Sequence, residues 1–336
     1  MKRNIKQWFA DQMSATVKKP LPILSFPAVQ LMGISVRQLV SDSSLQARAM
    51  KLVAETVDTA ASVSFMDLSV EAECFGSNVK YSDDEVPTVV GGIVYSEEDA
   101  LALKIPEAGA GRTKLYLEAV AEALKVIEDR PVFAGSIGPF SLAGRLMEVS
   151  EALINCYDEP GMVHITMEKA TRFITEYILE YKKLGADGVV IAEPLTGLLS
   201  PDLAAKFSAP YVKMIVDAVQ DDNFAVIYHN CGNNTLLMTE EILSCGAMAY
   251  HFGNAISMAE MLEKIPAGIP VMGNVNPAGV IKDGTLEDVR KATLDLLETC
   301  SKYPNFIISS GCDIPPMSPW ENIHAFFDTV KEYYER

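Results

Sequence analysis

The 336-residue chain carries 28 Lys and Arg against 45 Asp and Glu, a formal net charge of −17. A surface this acidic repels phosphate backbones and anionic headgroups, which excludes nucleic acid and membrane surfaces as expected partners. At 49% hydrophobic and 22% charged, the chain has enough apolar material to bury one large core.

The N-terminus opens Met1-Lys2-Arg3-Asn4-Ile5-Lys6, but no apolar core follows. No signal peptide is expected, no run approaches the length of a membrane span, and the cytoplasm is the expected compartment. Residues 1–20 read as a decoration ahead of the first strand. Short, β-rich apolar runs then predict strands at 22–26, 64–68, 131–136, 187–192, 224–229, 247–251, 269–273 and 305–310. These runs are apolar throughout rather than alternating, as parallel strands buried on both faces require.

Between the second and third strands, residues 70–115 hold Pro87, Gly91, Gly92, Pro106, Gly109 and Gly111 and read as a loop-rich insertion at the mouth of the fold. From Thr166 the apolar positions Met167, Ala170, Phe173, Ile174, Tyr177, Ile178, Tyr181 and Leu184 recur at helical spacing, and the helix is expected to stop at Gly185. Ser257-Met258-Ala259-Glu260 and Ser318-Pro319-Trp320-Glu321 read as capping boxes, and Thr285 begins a helix running to about Tyr303. Eight strand–helix units without a glycine-rich dinucleotide fingerprint after the first strand predict an α/β fold. The expected architecture is a single (β/α)8 barrel domain over 1–336, with the N-terminal extension and loop insertions as additions.

The carboxyl ends of barrel strands form the active-site face. Three predicted strands end there in reactive residues: Ala192-Glu193-Pro194, His229-Asn230-Cys231-Gly232-Asn233 and Gly311-Cys312-Asp313-Ile314-Pro315-Pro316. His229 and Cys231 stand two apart, so alternation points them the same way. A buried cysteine alone is more often a small core residue than a ligand. An imidazole and two thiols delivered to one rim instead match the three protein ligands of a catalytic zinc with an open fourth position. Glu193 reads as a fourth ligand that an arriving thiol displaces, after which the freed carboxylate accepts the thiol proton. Its competing reading is a partner for a basic side chain. His251, also at a strand end, reads either as a proton carrier or hydrogen-bond donor at the site or as a support behind the ligands. Cys74, Cys156, Cys245 and Cys300 read as structural, reduced thiols, since the spacing of the six cysteines offers no disulfide framework. His164 and His324 read as peripheral.

Those strand-end motifs join Val70-Glu71-Ala72-Glu73-Cys74-Phe75-Gly76, Gly138-Pro139-Phe140-Ser141-Leu142-Ala143-Gly144 and Gly273-Asn274-Val275-Asn276-Pro277. Together they resemble the methylcobalamin:coenzyme M methyltransferases and their relatives within the uroporphyrinogen decarboxylase superfamily, over most of the chain after about residue 60. The resemblance implies zinc on His229, Cys231 and Cys312, and a methylcorrinoid (cobalamin) carried by a separate small corrinoid protein. It implies that an acceptor thiol such as coenzyme M binds zinc, loses its proton and attacks the methyl carbon in line, leaving reduced cobalt. It also implies that Asn274 and Asn276 bind the cofactor. The superfamily's decarboxylases bind a polycarboxylate through an N-terminal arginine cluster. Here Pro20-Leu21-Pro22-Ile23-Leu24-Ser25-Phe26-Pro27 is apolar and the next arginine is Arg37, which argues against porphyrinogen decarboxylation. His251 replaces an expected small or acidic residue and leaves the methyl acceptor open. The alternatives are a first-step methyltransferase that demethylates a small molecule onto a corrinoid protein, a tetrapyrrole decarboxylase, and a non-catalytic barrel.

Overall fold

The computed structural model describes residues 2–335, so Met1 and Arg336, the two ends of the expected domain, lie outside the described residues. Its strands are β1 (Ser62–Val63), β2 (Asn78–Lys80), β3 (Thr88–Val90), β4 (Val132–Ile137), β5 (Gly188–Ala192), β6 (Ala225–Asn230), β7 (Ala249–Phe252), β8 (Val271–Val275) and β9 (Phe306–Ser310). Seven of them form one parallel, curled sheet in the order β1-β4-β5-β6-β7-β8-β9, while β2 and β3 make a separate antiparallel hairpin.

The sheet is buried on both faces, as its unbroken apolar runs predict, and strand alternation sorts its side chains into two cores. Val63, Phe133, Val190, Ala192, Ala225, Ile227, Ala249, Met272 and Ile307 gather inside the curl. Val189, Ile191, Val226, Tyr228, Tyr250, Val271, Phe306 and Ile308 face the surrounding helices. The helix Ile5–Ser14 turns the expected N-terminal decoration into part of the inner core, because its buried Ile5 and Phe9 join that cluster. Phe9 stacks on Phe133 with ring centroids 6.2 Å apart.

The first expected strand, 22–26, is not a strand. Its segment nevertheless runs between the two edges of the sheet. The Leu21 amide donates to the Ile308 carbonyl at 2.9 Å, the Ala60 amide donates to the Pro20 carbonyl at 2.9 Å, and Ser25 Oγ donates to the Val63 carbonyl. Pro20 and Pro22 have no amide hydrogen, so a regular ladder cannot form there. The second expected strand is shorter and earlier than its apolar run. Beyond it the chain turns where Asp67 Oδ1 accepts from both the amide and the hydroxyl of Ser69.

The expected loop-rich 70–115 insertion is more ordered than its prolines and glycines suggest. It contains the helices Val70–Cys74 and Glu97–Ala102 as well as the β2–β3 hairpin. Arg112 anchors it by donating to Asp67 at 2.6 Å, to Ser69 at 2.8 Å and to Glu73. The long helix Pro160–Leu184 starts before Thr166, with Pro160 in its first turn, and ends at Gly185 in the left-handed region, φ 101°. Of the two expected capping boxes, Ser257 accepts from the Glu260 amide ahead of the helix Met258–Lys264, whereas Ser318 caps nothing and its helix begins at Trp320 behind Pro319; the helix begun at Thr285, Leu286–Cys300, carries a full box with Asp288. Among the described residues no helix is long and apolar enough to cross a membrane.

Candidate metal centre

β6, β7 and β9 lie side by side or close around the curl, and their inward positions at the carboxyl end carry His229, His251 and Ser309. The register places Ala192 opposite His229 and His229 opposite His251. Just beyond β6 and β9 the chain delivers Cys231 and Cys312. One ligand atom from each of His229, Cys231 and Cys312 lies within 4.8 Å of the other two. Gly253, which follows β7, is what allows this approach. A Cβ there would stand 2.5 Å from Cys231 Cα and Cβ, and 3.2 Å from the Gly311 carbonyl oxygen.

A tetrahedral zinc with bonds of about 2.3 Å to sulfur and 2.0–2.1 Å to nitrogen separates a sulfur and a nitrogen ligand by about 3.5 Å. Cys312 Sγ and His229 Nε2 are 3.5 Å apart. The donor set and its spacing therefore fit zinc. A hydrogen bond from the Cys312 thiol holds Cys231 below the ordinary thiol value, and the same bond together with burial pushes Cys312 up to about 12.

Behind His229 stands a chain of three acceptors and donors. His229 Nδ1 lies 2.8 Å from His251 Nδ1, His251 Nε2 lies 2.8 Å from Ser309 Oγ, and Ser309 Oγ donates to the Leu21 carbonyl at 2.7 Å. Ser309 has only one hydroxyl hydrogen, so it must accept from His251 Nε2–H. Neutral His251 then offers Nδ1 as an acceptor, His229 carries its proton on Nδ1, and the lone pair on His229 Nε2 faces the thiols. Burial, and then the neighbouring His229, hold His251 well below the ordinary imidazole value, in keeping with its neutral form. The structure thus places His251 behind the metal cluster and not in front of it.

Glu193 is brought elsewhere. It lies outside the metal group, fully buried, and accepts hydrogen bonds from the Phe140 amide at 2.9 Å, the Ser141 amide at 3.0 Å, Ser141 Oγ at 2.7 Å and Thr196 Oγ1 at 3.2 Å. The reason is strand parity. Val190 and Ala192 point inward while Val189 and Ile191 point outward, so Glu193 continues the outward set. There it meets the N-terminus of the helix Pro139–Met147, and Gly138 leaves the space that its side chain fills. The expectation of a basic partner also differs from this arrangement, in which the donors are amides and hydroxyls. Burial pushes the Glu193 carboxyl up to about 7.

The two asparagines expected to bind the cofactor each hold backbone in this structure. Asn274 donates to the carbonyls of Gly253 and Ile256 at 2.9 and 3.0 Å, and Asn276 accepts from the amides of Ala278 and Gly279 at the head of the π-helical segment Pro277–Lys282. Asn274 thereby steadies the Gly253 turn against Cys231. Sequence reasoning missed Ser309 and Gly253. Ser309 is legible as a polar residue on an apolar strand, two before Gly311, but no spacing rule reveals the contact across Gly253.

The fold and the cluster define a parallel α/β protein with a candidate thiol–imidazole metal centre at the carboxyl ends of its strands. The uroporphyrinogen decarboxylase (URO-D) family model matches residues 24–333, and the chain belongs to that family. It is 27% identical over 278 residues to a methylcobamide:CoM methyltransferase, MtbA, of Methanosarcina acetivorans, covering 80% of this chain and 78% of the relative. It is 26% identical over 288 residues to a uroporphyrinogen decarboxylase of a Roseiflexus species, covering 81% and 80%. A methyltransferase structure from Methanosarcina mazei superposes with a TM-score of 0.85 at 21% identity, over 99% of each chain. A B12-independent methionine synthase from a Shewanella species gives a TM-score of 0.62 at 12% identity, over 95% and 96%.

Proposed function

We propose that this chain is a zinc-dependent corrinoid methyltransferase that moves a methyl group between a small corrinoid protein and a small acceptor, most simply a thiol such as coenzyme M. The observation that carries this reading is the His229–Cys231–Cys312 cluster, with the His229 Nε2 lone pair turned toward both sulfurs. The 27% identity to a methylcobamide:CoM methyltransferase supports it. Decarboxylases are also relatives. The apolar 20–27 segment, which runs against β1 and β9 with no arginine in it, favours methyl transfer over binding a polycarboxylate.

In this reading the chain is one domain and residues 20–25 act as the eighth stave of a (β/α)8 barrel, in keeping with their bonds to both edge strands. His229, Cys231 and Cys312 would hold the metal and would leave a fourth position for the substrate sulfur. Zinc bound to two thiolates lowers the pKa of an incoming thiol while keeping its sulfur electron-rich, which suits attack on a methyl carbon. His251 and Ser309 keep the His229 proton on Nδ1. The corrinoid would come from a separate protein docking over the strand ends, and that docking would supply the orientation of the methyl group toward the substrate thiol.

The test is the loaded enzyme with methylcobalamin and thiols, followed by corrinoid proteins encoded in the same organism. We expect thiol methylation that requires zinc, is lost in Cys312→Ala, and runs faster from a cognate methylated corrinoid protein than from free methylcobalamin. Zinc-independent release of carbon dioxide from a porphyrinogen, without any thiol methylation, is the result that would replace this reading by the decarboxylase one.

A further inference from the structure

Asn230 stands between His229 and Cys231 at the end of β6, and strand alternation turns it away from both. His229 continues the inward set of Ala225 and Ile227, whereas Asn230 continues the outward set of Val226 and Tyr228. Its side chain is fully buried in that outer core. Packing alone would be served there by an apolar residue, because burying an amide is costly unless its polar atoms are paired.

They are paired, and the pairing reaches across Cys231. Asn230 Oδ1 accepts from the Gly232 amide at 2.9 Å. A backbone amide can only donate, so this contact fixes the oxygen toward the turn and leaves Nδ2 to donate to Tyr228 Oη at 3.2 Å. Thr235 Oγ1, also fully buried, lies 2.9 Å from Asn230 Oδ1 and 2.6 Å from the Gly232 carbonyl oxygen, and its one hydrogen closes the turn through either. A side-chain oxygen bonded to the amide two residues on is the Asx turn that asparagine favours. The Asn230 carbonyl accepts from the Gly253 amide at 2.9 Å, which ties the same residue to the turn after β7. A Cβ on Gly197 would stand 2.5 Å from Asn230 Oδ1 and 2.8 Å from the Gly232 nitrogen, so the held turn packs directly on the backbone of the turn after β5.

We propose that Asn230 is a positioning residue for the metal centre: through Oδ1 it holds the Cys231–Gly232 turn in the conformation that brings the Cys231 sulfur to His229 and Cys312. The inference rests on the metal-site part of the proposed function and not on the methyl-transfer step. A thiol held in place before the metal arrives has less conformational freedom to lose on binding, which is the gain that groups behind a ligand supply.

The experiment titrates the metal-free chain with cobalt(II), whose thiolate-to-metal absorption reports sulfur ligation, and measures zinc affinity by chelator competition. Folded Asn230→Ala should bind zinc about tenfold to a hundredfold more weakly than wild type. Its thiolate absorption per bound cobalt should also fall, a change that a residue supporting only the fold would not produce. Asn230→Asp keeps an acceptor for the Gly232 amide, with Tyr228 free to turn its hydroxyl hydrogen to the second oxygen, and should stay within about fivefold of wild type. Thr235→Val removes the hydroxyl from the same turn while leaving Asn230 in place, and should weaken zinc by about twofold to tenfold. Wild-type affinity and absorption in folded Asn230→Ala overturn the proposal, and so does Asn230→Asp binding as weakly as Asn230→Ala. Should Asn230→Ala not fold, unchanged zinc affinity in Thr235→Val overturns it instead. A wild-type chain that binds neither metal removes the metal site and the role of Asn230 with it. Metal binding that depends on Asn230, in a protein that methylates no thiol, counts against the methyltransferase reading alone.

Discussion

His229 and His251 meet Nδ1 to Nδ1 at 2.8 Å, and because Ser309 spends its hydroxyl hydrogen on the Leu21 carbonyl, the shared proton belongs to His229. The proton on His229 Nδ1, and with it the free lone pair on Nε2 beside Cys312, is therefore set by a residue on β9 and by a carbonyl in the 20–25 segment. Groups that orient a ligating histidine commonly contribute tenfold to a hundredfold in metal affinity. His251→Ala should keep the three ligands but weaken zinc binding by about that range, and Ser309→Ala by less. Cys231→Ala should lower both zinc stoichiometry and affinity. Competition with a chromophoric chelator, alongside elemental analysis of one zinc per wild-type chain, checks all three. Unchanged zinc affinity in His251→Ala would show that the contact has no orienting role.

Gly253 is the position where one methyl group separates the two halves of the cluster. Gly253→Ala should push the Cys231 backbone away from the Gly311 turn, given the 2.5 Å approach of an added Cβ. The expected result is zinc affinity reduced by at least about tenfold together with a stability loss of about 1–3 kcal/mol, the usual cost of overpacking. Chelator competition and denaturant unfolding read the two effects separately.

Glu193→Ala should leave four donors without their acceptor: two amides at the head of Pro139–Met147 and the hydroxyls of Ser141 and Thr196. Unpaired buried donors make a loss of about 3–5 kcal/mol reasonable, with zinc stoichiometry unchanged. Zinc-edge X-ray absorption on wild type and Glu193→Gln tests directly whether the carboxylate ever ligates the metal. A resting carboxylate oxygen on zinc in wild type, absent from the variant, would return Glu193 to the metal.

Glu71 is fully buried, and one carboxylate oxygen accepts from Ser136 Oγ and the Ile137 amide while the other has no partner. Burial pushes this carboxyl up to about 7 from 4.5. The folded state therefore favours the protonated acid, and the stability this provides is complete below the unfolded value and is lost as pH rises through about 7. Relative to Glu71→Gln, wild type should lose on the order of 3 kcal/mol between pH 4 and pH 8. Urea unfolding of both proteins across that range gives the difference curve, and a flat curve would mean that Glu71 ionises in the fold as readily as in the unfolded chain.

Much of the site was legible in the sequence. His229 near the end of β6, Cys231 two residues on and the Gly-Cys turn after β9 stood out in the sequence, because a strand end and its alternation are local properties that a chain carries in its own pattern. So did the parallel sheet, whose strands are apolar on both faces, and the end of the long helix at Gly185. Other features were decided only in three dimensions. Glu193 faces the helix Pro139–Met147 and not the His229–Cys231–Cys312 group because alternation along β5 turns it outward. Residues 20–25 lie along both sheet edges but form no ladder, since two prolines remove the donors a strand needs. The proton on His229 depends on Ser309 and Leu21, which are far apart in the chain and meet only around the curl of the sheet. Local patterning prescribes which residues reach the rim, while the direction each one faces and the partner it finds depend on contacts between segments that the order of residues does not display.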